Sequence, residues 1–315
     1  MKTKILLLIS MFFIFNKLIF GQCCSAGNPV GGDGSNVGLN KKALRVSVMY
    51  KYSLSQVYFH NESQVDVPFT DKSYFDYNNL SITYGLLNRL SLHSEIGYFI
   101  DKTQKLNMNN ENIVINSNGL GDLLFNARYT LIKTVKPISQ LVLSAGARFP
   151  IGAFNEEING VAIPMSLQPS SGALKYNTSA FYSRKRIENK IGFTIFTLFE
   201  NSRTINQDYL VYKYGNYFQF SLAGSYSISK NFIFIANAKF ELRAKDEREF
   251  GLKIESTGSR VVYFNPQILY SIKTKWNIIF MTDIPIYKYV NGYQLTNKFS
   301  FQIGLSRNIS FRYQK

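Results

Sequence analysis

His60 and His93 are the only imidazoles in the 315-residue chain, and its two cysteines, Cys23 and Cys24, are adjacent. Adjacent cysteines supply neither a spaced framework of bridges nor the spacing of a metal site. His93 lies two residues from Glu95, so a Ser–His–acid hydrolytic set is conceivable. Such a set is recognised by geometry, and serine is frequent enough here to pair with any histidine. A hydrogen-bonded structural histidine is the simpler reading. There is no glycine-rich phosphate loop and no metal-ligand cluster, so no enzymatic activity, cofactor or metal is expected. The other candidates are charges that fall inside regularly alternating segments: Glu95, Asp122, Arg128, Arg148, Glu200, Lys239, Glu241 and Arg243. What they can do depends on the wall that holds them.

That wall is written in a period of two. Leu44, Val46, Val48, Tyr50 and Tyr52 fall on one face of a strand, and Arg45, Ser47, Met49, Lys51 and Ser53 on the other. The same pattern recurs at Leu80–Leu86, Leu123–Leu131, Phe218–Tyr226 and Phe232–Leu242. One wet and one apolar face per strand is the signature. Strands are expected near 42–54, 74–87, 89–100, 119–132, 138–149, 173–184, 189–200, 215–228, 231–243, 261–273, 275–286 and 297–313. The gaps alternate without exception. Long ones fall at 55–73, 101–118, 150–172, 201–214, 244–260 and 287–296, and short ones at Asn88, 133–137, 185–188, 229–230 and Thr274. Long loops at one end and tight turns at the other are the arrangement of an outer-membrane barrel; a soluble sandwich has no reason to sort them. The expected fold is therefore an all-β, transmembrane, antiparallel up-and-down barrel of about twelve strands, with long extracellular loops and short periplasmic turns.

Export is expected from the N-terminus. Lys2 and Lys4 precede the apolar run Ile5 to Phe15, and Gly21 offers a small-residue exit before Gln22, as in a secretory signal peptide. The run is short for a membrane-spanning helix. Lipid attachment at Cys23 is the alternative, but Gln22 stands where that signal wants a small residue. The expected division is a signal peptide over 1–21, a Gly-rich periplasmic leader or small plug over 22–41, and a barrel over 42–315.

Loss of residues 1–21 takes the formal charge from +16 to +13, because that segment holds three lysines and no acid. A basic balance raises nucleic acid or an acidic membrane as partner. The bases gather at the short turns, at Arg89, Lys133, Lys136, Lys185, Arg186, Lys230, Lys273 and Lys275, whereas the long loops are nearly balanced. A ring at the periplasmic rim suits lipid headgroups and not the aromatic-interleaved stripe of a nucleic-acid site. Outer-membrane lipid, including lipopolysaccharide, is the expected partner, and nucleic acid is not. In the last strand Phe299, Phe301, Ile303, Leu305, Ile309, Phe311 and Tyr313 share a face that only Arg307 breaks. It is similar to the C-terminal signal read by the barrel-assembly machinery, with Gln314 and Lys315 following the final aromatic.

Inside such a barrel the charges acquire neighbours. With a turn centred near Val135, Asp122 and Arg148 fall opposite each other on adjacent strands, where side chains on one face interact. Lys239, Glu241 and Arg243 form a ladder near an outer strand end, with Glu200 two strands away. The functional reading is a charged constriction that selects solutes; the plain one is a set of wall salt bridges filling a narrow lumen.

Three motifs resemble a known family. Gly119-Leu120-Gly121-Asp122, Phe149-Pro150-Ile151-Gly152 and Leu167-Gln168-Pro169-Ser170-Ser171-Gly172 resemble the outer-membrane barrels associated with meta-cleavage (phenol degradation) pathways, and Cys23-Cys24-Ser25-Ala26-Gly27 resembles the leader of relatives from Bacteroidetes. Ile151 stands where the family often has Thr, and Ser170-Ser171 where Gly-Thr is common. The resemblance implies a channel or transporter for passive passage of small, hydrophobic or aromatic organic molecules, without identifying the solute. A non-conducting barrel with a structural, adhesive or secretion-accessory role is the other class. The loop 150–172 reads either as a lid folded inward or as an ordinary surface loop.

Overall fold

On the long strands the apolar side chains point outward and the polar ones inward. Leu80 and Ile82 are 40% and 42% exposed, while Ser81 between them is 5% exposed. Exposed apolar and buried polar side chains invert the soluble pattern, and lipid outside a barrel is the medium that makes the inversion stable. The computed structural model describes residues 36–66, 70–108, 111–135, 137–158, 160–186, 190–207, 210–272 and 276–311. The expected signal peptide, the Cys23–Gly27 motif, most of the leader, Lys136, Lys273, Lys275 and Tyr313 lie outside the described residues.

The wall is built from β1 (Ala43–Asn61), β2 (Thr70–Gly85), β3 (Leu90–Met108), β4 (Glu111–Leu120), β5 (Leu123–Val135), β6 (Ile138–Phe149), β7 (Lys175–Arg186), β8 (Ile191–Ser202), β9 (Tyr217–Ser227), β10 (Phe232–Arg243), β11 (Ser259–Ile272) and β12 (Trp276–Ser310). Every neighbouring pair is antiparallel. Eleven strands close the ring; β4 and the short Ser63–Val65 segment lie outside it in the same sheet. The last strand passes through the wall twice. Its first part pairs with β11, from Ile272↔Trp276 to Ser259↔Val290. Its second part pairs with β1, from Asn61↔Val290 to Ala43↔Ser310. The reversal falls at Asn291-Gly292, where Gly292 has φ 62°, a left-handed conformation that glycine adopts without steric cost.

Three of the expected long loops are largely strand. β1 and β2 run on into 55–73, β3 and β4 fill 101–118, and β12 fills 287–296. Alternation faded there for a physical reason. Beyond the membrane a strand has water outside as well as polar surroundings inside, so nothing forces apolar residues onto alternate positions. The remaining long connections are 150–174, 203–216 and 244–258, and they meet above the mouth. A three-stranded sheet of Ile205–Gln207, Leu210–Lys213 and Glu247–Arg248 forms there. Ala173, Ile205 and Tyr212 bury one another, with Phe154, Met165 and Ile254 packed around them.

At the opposite rim Arg307 lies over the ring of Trp276 at 4.9 Å. The one cation that breaks the apolar face of the final strand therefore sits beside an aromatic at the membrane boundary, where Trp and Arg both anchor.

Candidate lumenal site

The three family-like motifs come together at one point of the outer mouth. β3 pairs with β4 above and β5 below, and Gly121-Asp122 is the break between the two. The break frees Asp122 from the ladder and turns its carboxylate to the loop. Its Oδ1 accepts from Ser170 Oγ at 2.7 Å and from the Ser171 amide at 2.9 Å, and its Oδ2 accepts from Ser171 Oγ at 2.6 Å. Lys102 Nζ donates to the Gln168 carbonyl at 2.8 Å, and Ser117 Oγ donates to that of Leu167. The Gln168 carboxamide in turn ties Glu156 and Ile163 of the same loop. Gly152 passes so close to the Leu120 carbonyl that a Cβ would sit 1.7 Å from it. The second half of loop 150–172 is thus buried against the inner side of the mouth, with Leu167 fully buried.

Asp122 does not face Arg148. A register shift between Thr130 and Ile132 sets Leu124 opposite Arg148. The hairpin is centred between Val135 and Ile138, beyond the expected centre at Val135, which alone moves the partner of Arg148 three residues from Asp122; the bulge brings back only one of them. Arg148 Nε instead reaches across β7 to Glu200 Oε2 at 3.4 Å, and Lys175 Nζ lies 4.0 Å from Glu200 Oε1.

Lys239 and Glu241 do pair, at 3.0 Å, but the stronger partner of Lys239 is Asp283 at 2.9 Å. Asn265 Nδ2 and Ser300 Oγ each donate to Asp283 at 3.1 Å. Arg243 lies over the ring of Tyr217 at 5.3 Å. Asp283 was missed in the sequence, yet it left a signal: it is the one acid on the face shared by Ile279 and Met281. His93 is buried. Its Nδ1 lies 2.9 Å from Thr83 Oγ1 and its Nε2 3.9 Å from Glu95 Oε2. His60 stacks on Tyr293 at 4.5 Å. The two histidines therefore occupy separate structural settings, and among the described residues no three His, Cys, Asp or Glu side chains gather as for a metal ion.

The interior is less polar than alternation alone suggests. Val142, Phe181, Phe196 and Leu198 form a buried cluster on the inner wall, and Met49, Ile279 and Met281 form another. Between them lies a cavity of about 430 Å³, bordered by Phe181, Phe196, Ile235, Leu269, Met281, Gln219, Gln267, Lys239 and Asp283 among others. The first described residues enter this space. Val37 packs on the Val142–Phe196 cluster, and Gln140 Nε2 donates to the Gly38 carbonyl at 3.2 Å. The chain leaves the lumen beside Asn40, which accepts a hydrogen bond from Lys133 at the periplasmic turn.

Lipid-facing apolar residues, a closed antiparallel wall and a cavity inside it define an outer-membrane β-barrel with a lumenal chamber. The model of the family described as "Putative MetA-pathway of phenol degradation" matches residues 88–303, and the chain belongs to that family. No curated protein matches it significantly. Among solved structures, an outer-membrane channel from Pseudomonas putida F1 superposes with a TM-score of 0.71 at 14% identity, covering 89% of this chain and 100% of the other. The KdgM porin gives 0.44 at 10% identity over 84% of this chain and 99% of the other. The TodX monoaromatic hydrocarbon channel gives 0.48 at 7% identity over 87% and 91%.

Proposed function

We propose that the barrel is a channel for passive passage of small, hydrophobic or aromatic organic molecules across the outer membrane. The observation that carries the reading is the lumenal chamber of about 430 Å³, whose wall mixes apolar side chains with hydrogen-bonding ones. A chamber of that size and lining suits a small organic molecule, since ligand sites are mostly apolar with a few placed polar groups. The Pseudomonas putida relative is itself described as an outer-membrane channel.

In this reading residues 1–21 direct export, 22–41 form a leader that enters the lumen as a plug, and 42–315 are the barrel. Val37 against the inner cluster supports the plug. Asp122 holds the mouth loop, while Arg148–Glu200 and Lys239–Asp283 line the passage with Glu95, Arg128, Glu241 and Arg243. Lipopolysaccharide outside, phospholipid at the basic rim and the barrel-assembly machinery are the partners the topology calls for. Reconstitution into planar bilayers and liposomes tests the proposal. Reproducible conductance with uptake of toluene or benzyl alcohol above protein-free liposomes supports it; a folded barrel that passes neither ions nor solute would overturn it.

A further inference from the structure

Following the ladder across the wall, His93 pairs with Asn126, Asn126 with Gly146, Gly146 with Asn177, and Asn177 with Glu200. The glycine between the two asparagines gives its side-chain room to one of them. A Cβ on Gly146 would lie 1.9 Å from Asn126 Oδ1, so the carboxamide occupies room that any other residue would take. Beside these asparagines is a gap in the lining, a small cavity of about 40 Å³ bordered by Asn126, Asn177, Arg128, Arg148, Glu95 and Glu200. Asn177 is 3% exposed, and both ends of its carboxamide lack a hydrogen-bond partner among the described residues; Asn126 Oδ1 lacks one too. Buried amides of this kind are nearly always satisfied, so something that both donates and accepts belongs there.

Charge decides what kind of group fits. Two guanidiniums and two carboxylates border the cavity, so they balance, and an ion entering would meet its own sign as well as the opposite one. The small cavity also adjoins the large chamber, because Asn36 and Phe196 border both. Polar gap and partly apolar chamber together have the shape of an amphipathic solute. We infer that the gap beside Asn177 is a subsite for the neutral hydrogen-bonding head, a hydroxyl or an amide, of a molecule whose apolar body lies in the chamber. The inference rests on the channel reading and names its substrate class. Two or three ordered waters are the competing occupant, since about 10–15 Å³ of such space holds one.

The test is equilibrium dialysis of benzyl alcohol, toluene, benzoate and benzylamine against the protein in lipid nanodiscs, with binding to empty discs subtracted. Benzyl alcohol should bind about tenfold more tightly than toluene, and more tightly than either ion, as expected when a buried amide is paired rather than left open. Asn177→Leu should erase the advantage of the alcohol while toluene still binds. Asn177→Asp, which keeps size and shape, should turn the preference towards benzylamine, so the inference does not depend on the leucine variant folding. Equal binding of alcohol and toluene would assign the gap to water and leave the channel reading standing. Preference of the wild type for an ion would overturn the neutral head, as would unchanged selectivity in Asn177→Asp. No binding by any solute, together with electrical silence, would overturn both readings.

Discussion

Replacing Asp122 by alanine should release the mouth loop without dissolving the barrel. The carboxylate accepts three hydrogen bonds, at 2.7, 2.9 and 2.6 Å, from Ser170 and Ser171. Bonds to a charged acceptor contribute about 1.5–3 kcal/mol each when measured singly. Three that share one carboxylate do not add fully, so about 3 kcal/mol is a fair loss for the latch. At 1.4 kcal/mol per factor of ten, the open population of the loop rises roughly 100-fold. Amide hydrogen exchange reads that population directly. Protection across residues 163–173, and of the Ser171 amide above all, should fall by about two orders of magnitude, while amides in β7 to β10 keep theirs. Asp122→Asn keeps shape and one acceptor oxygen, so its loss should be nearer tenfold. If protection in Asp122→Ala stays within about twofold of the wild type, the latch is not what holds the loop. The buried side chains of Leu167, Ile163 and Ala173 would then be sufficient.

Asp283→Ala leaves Lys239 without its closest partner in a buried setting, and should lower stability by about 3 kcal/mol, read as an earlier urea midpoint of the heat-modifiable band. Gly38→Leu places a side chain where a Cβ would already lie 2.2 Å from Thr130 Oγ1; the leader should be displaced and single-channel conductance should rise, and an unchanged conductance would show that it does not obstruct the lumen. The Tyr214 hydroxyl donates to the Ser171 carbonyl at 3.0 Å, and burial, with Asp122 and Asp246 nearby, raises its pKa. Its contribution to holding the mouth is therefore full below the ordinary tyrosine value of about 10 and is lost as pH rises beyond it. Loop protection should drop on that alkaline side, and the tyrosinate absorbance of Tyr214, isolated as the difference between the wild type and Tyr214→Phe, should appear at higher pH than that of an exposed tyrosine.

The barrel was legible because lipid imposes a rule that a sequence must obey residue by residue. Leu80, Ile82 and Tyr84 alternate with Ser81 and Thr83 since the former meet hydrocarbon and the latter the lumen. Above the membrane that rule lapses, and strands such as β4, with Ile113, Val114 and Ile115 in a row, lose the signal. Lumenal contacts were legible only as a set. The sequence places Asp122, Arg148, Glu200 and Lys239 on the inner face, but which of them touch depends on bulges and on strand offset. A turn centred beyond Val135, with Asp122 in the break between two strands, was enough to leave Arg148 to Glu200. The unsatisfied carboxamide of Asn177 has no sequence signature at all, because asparagine opposite glycine is unremarkable until the strands are paired.

The double pass of β12 has a kinetic side. Most wall strands pair with the strand just before or after them, so most of the sheet can grow by local hairpins. The seam between β1 and the second pass of β12 cannot. Arg45 donates to Asn308 there at 2.8 Å across 263 residues of sequence, and bringing such distant ends together costs about 5 kcal/mol in chain entropy. Until it closes, the growing sheet exposes two unpaired edges in a medium that cannot hydrogen-bond them. Closing the seam is therefore the step that hairpin growth leaves to the end, and it removes both open edges at once.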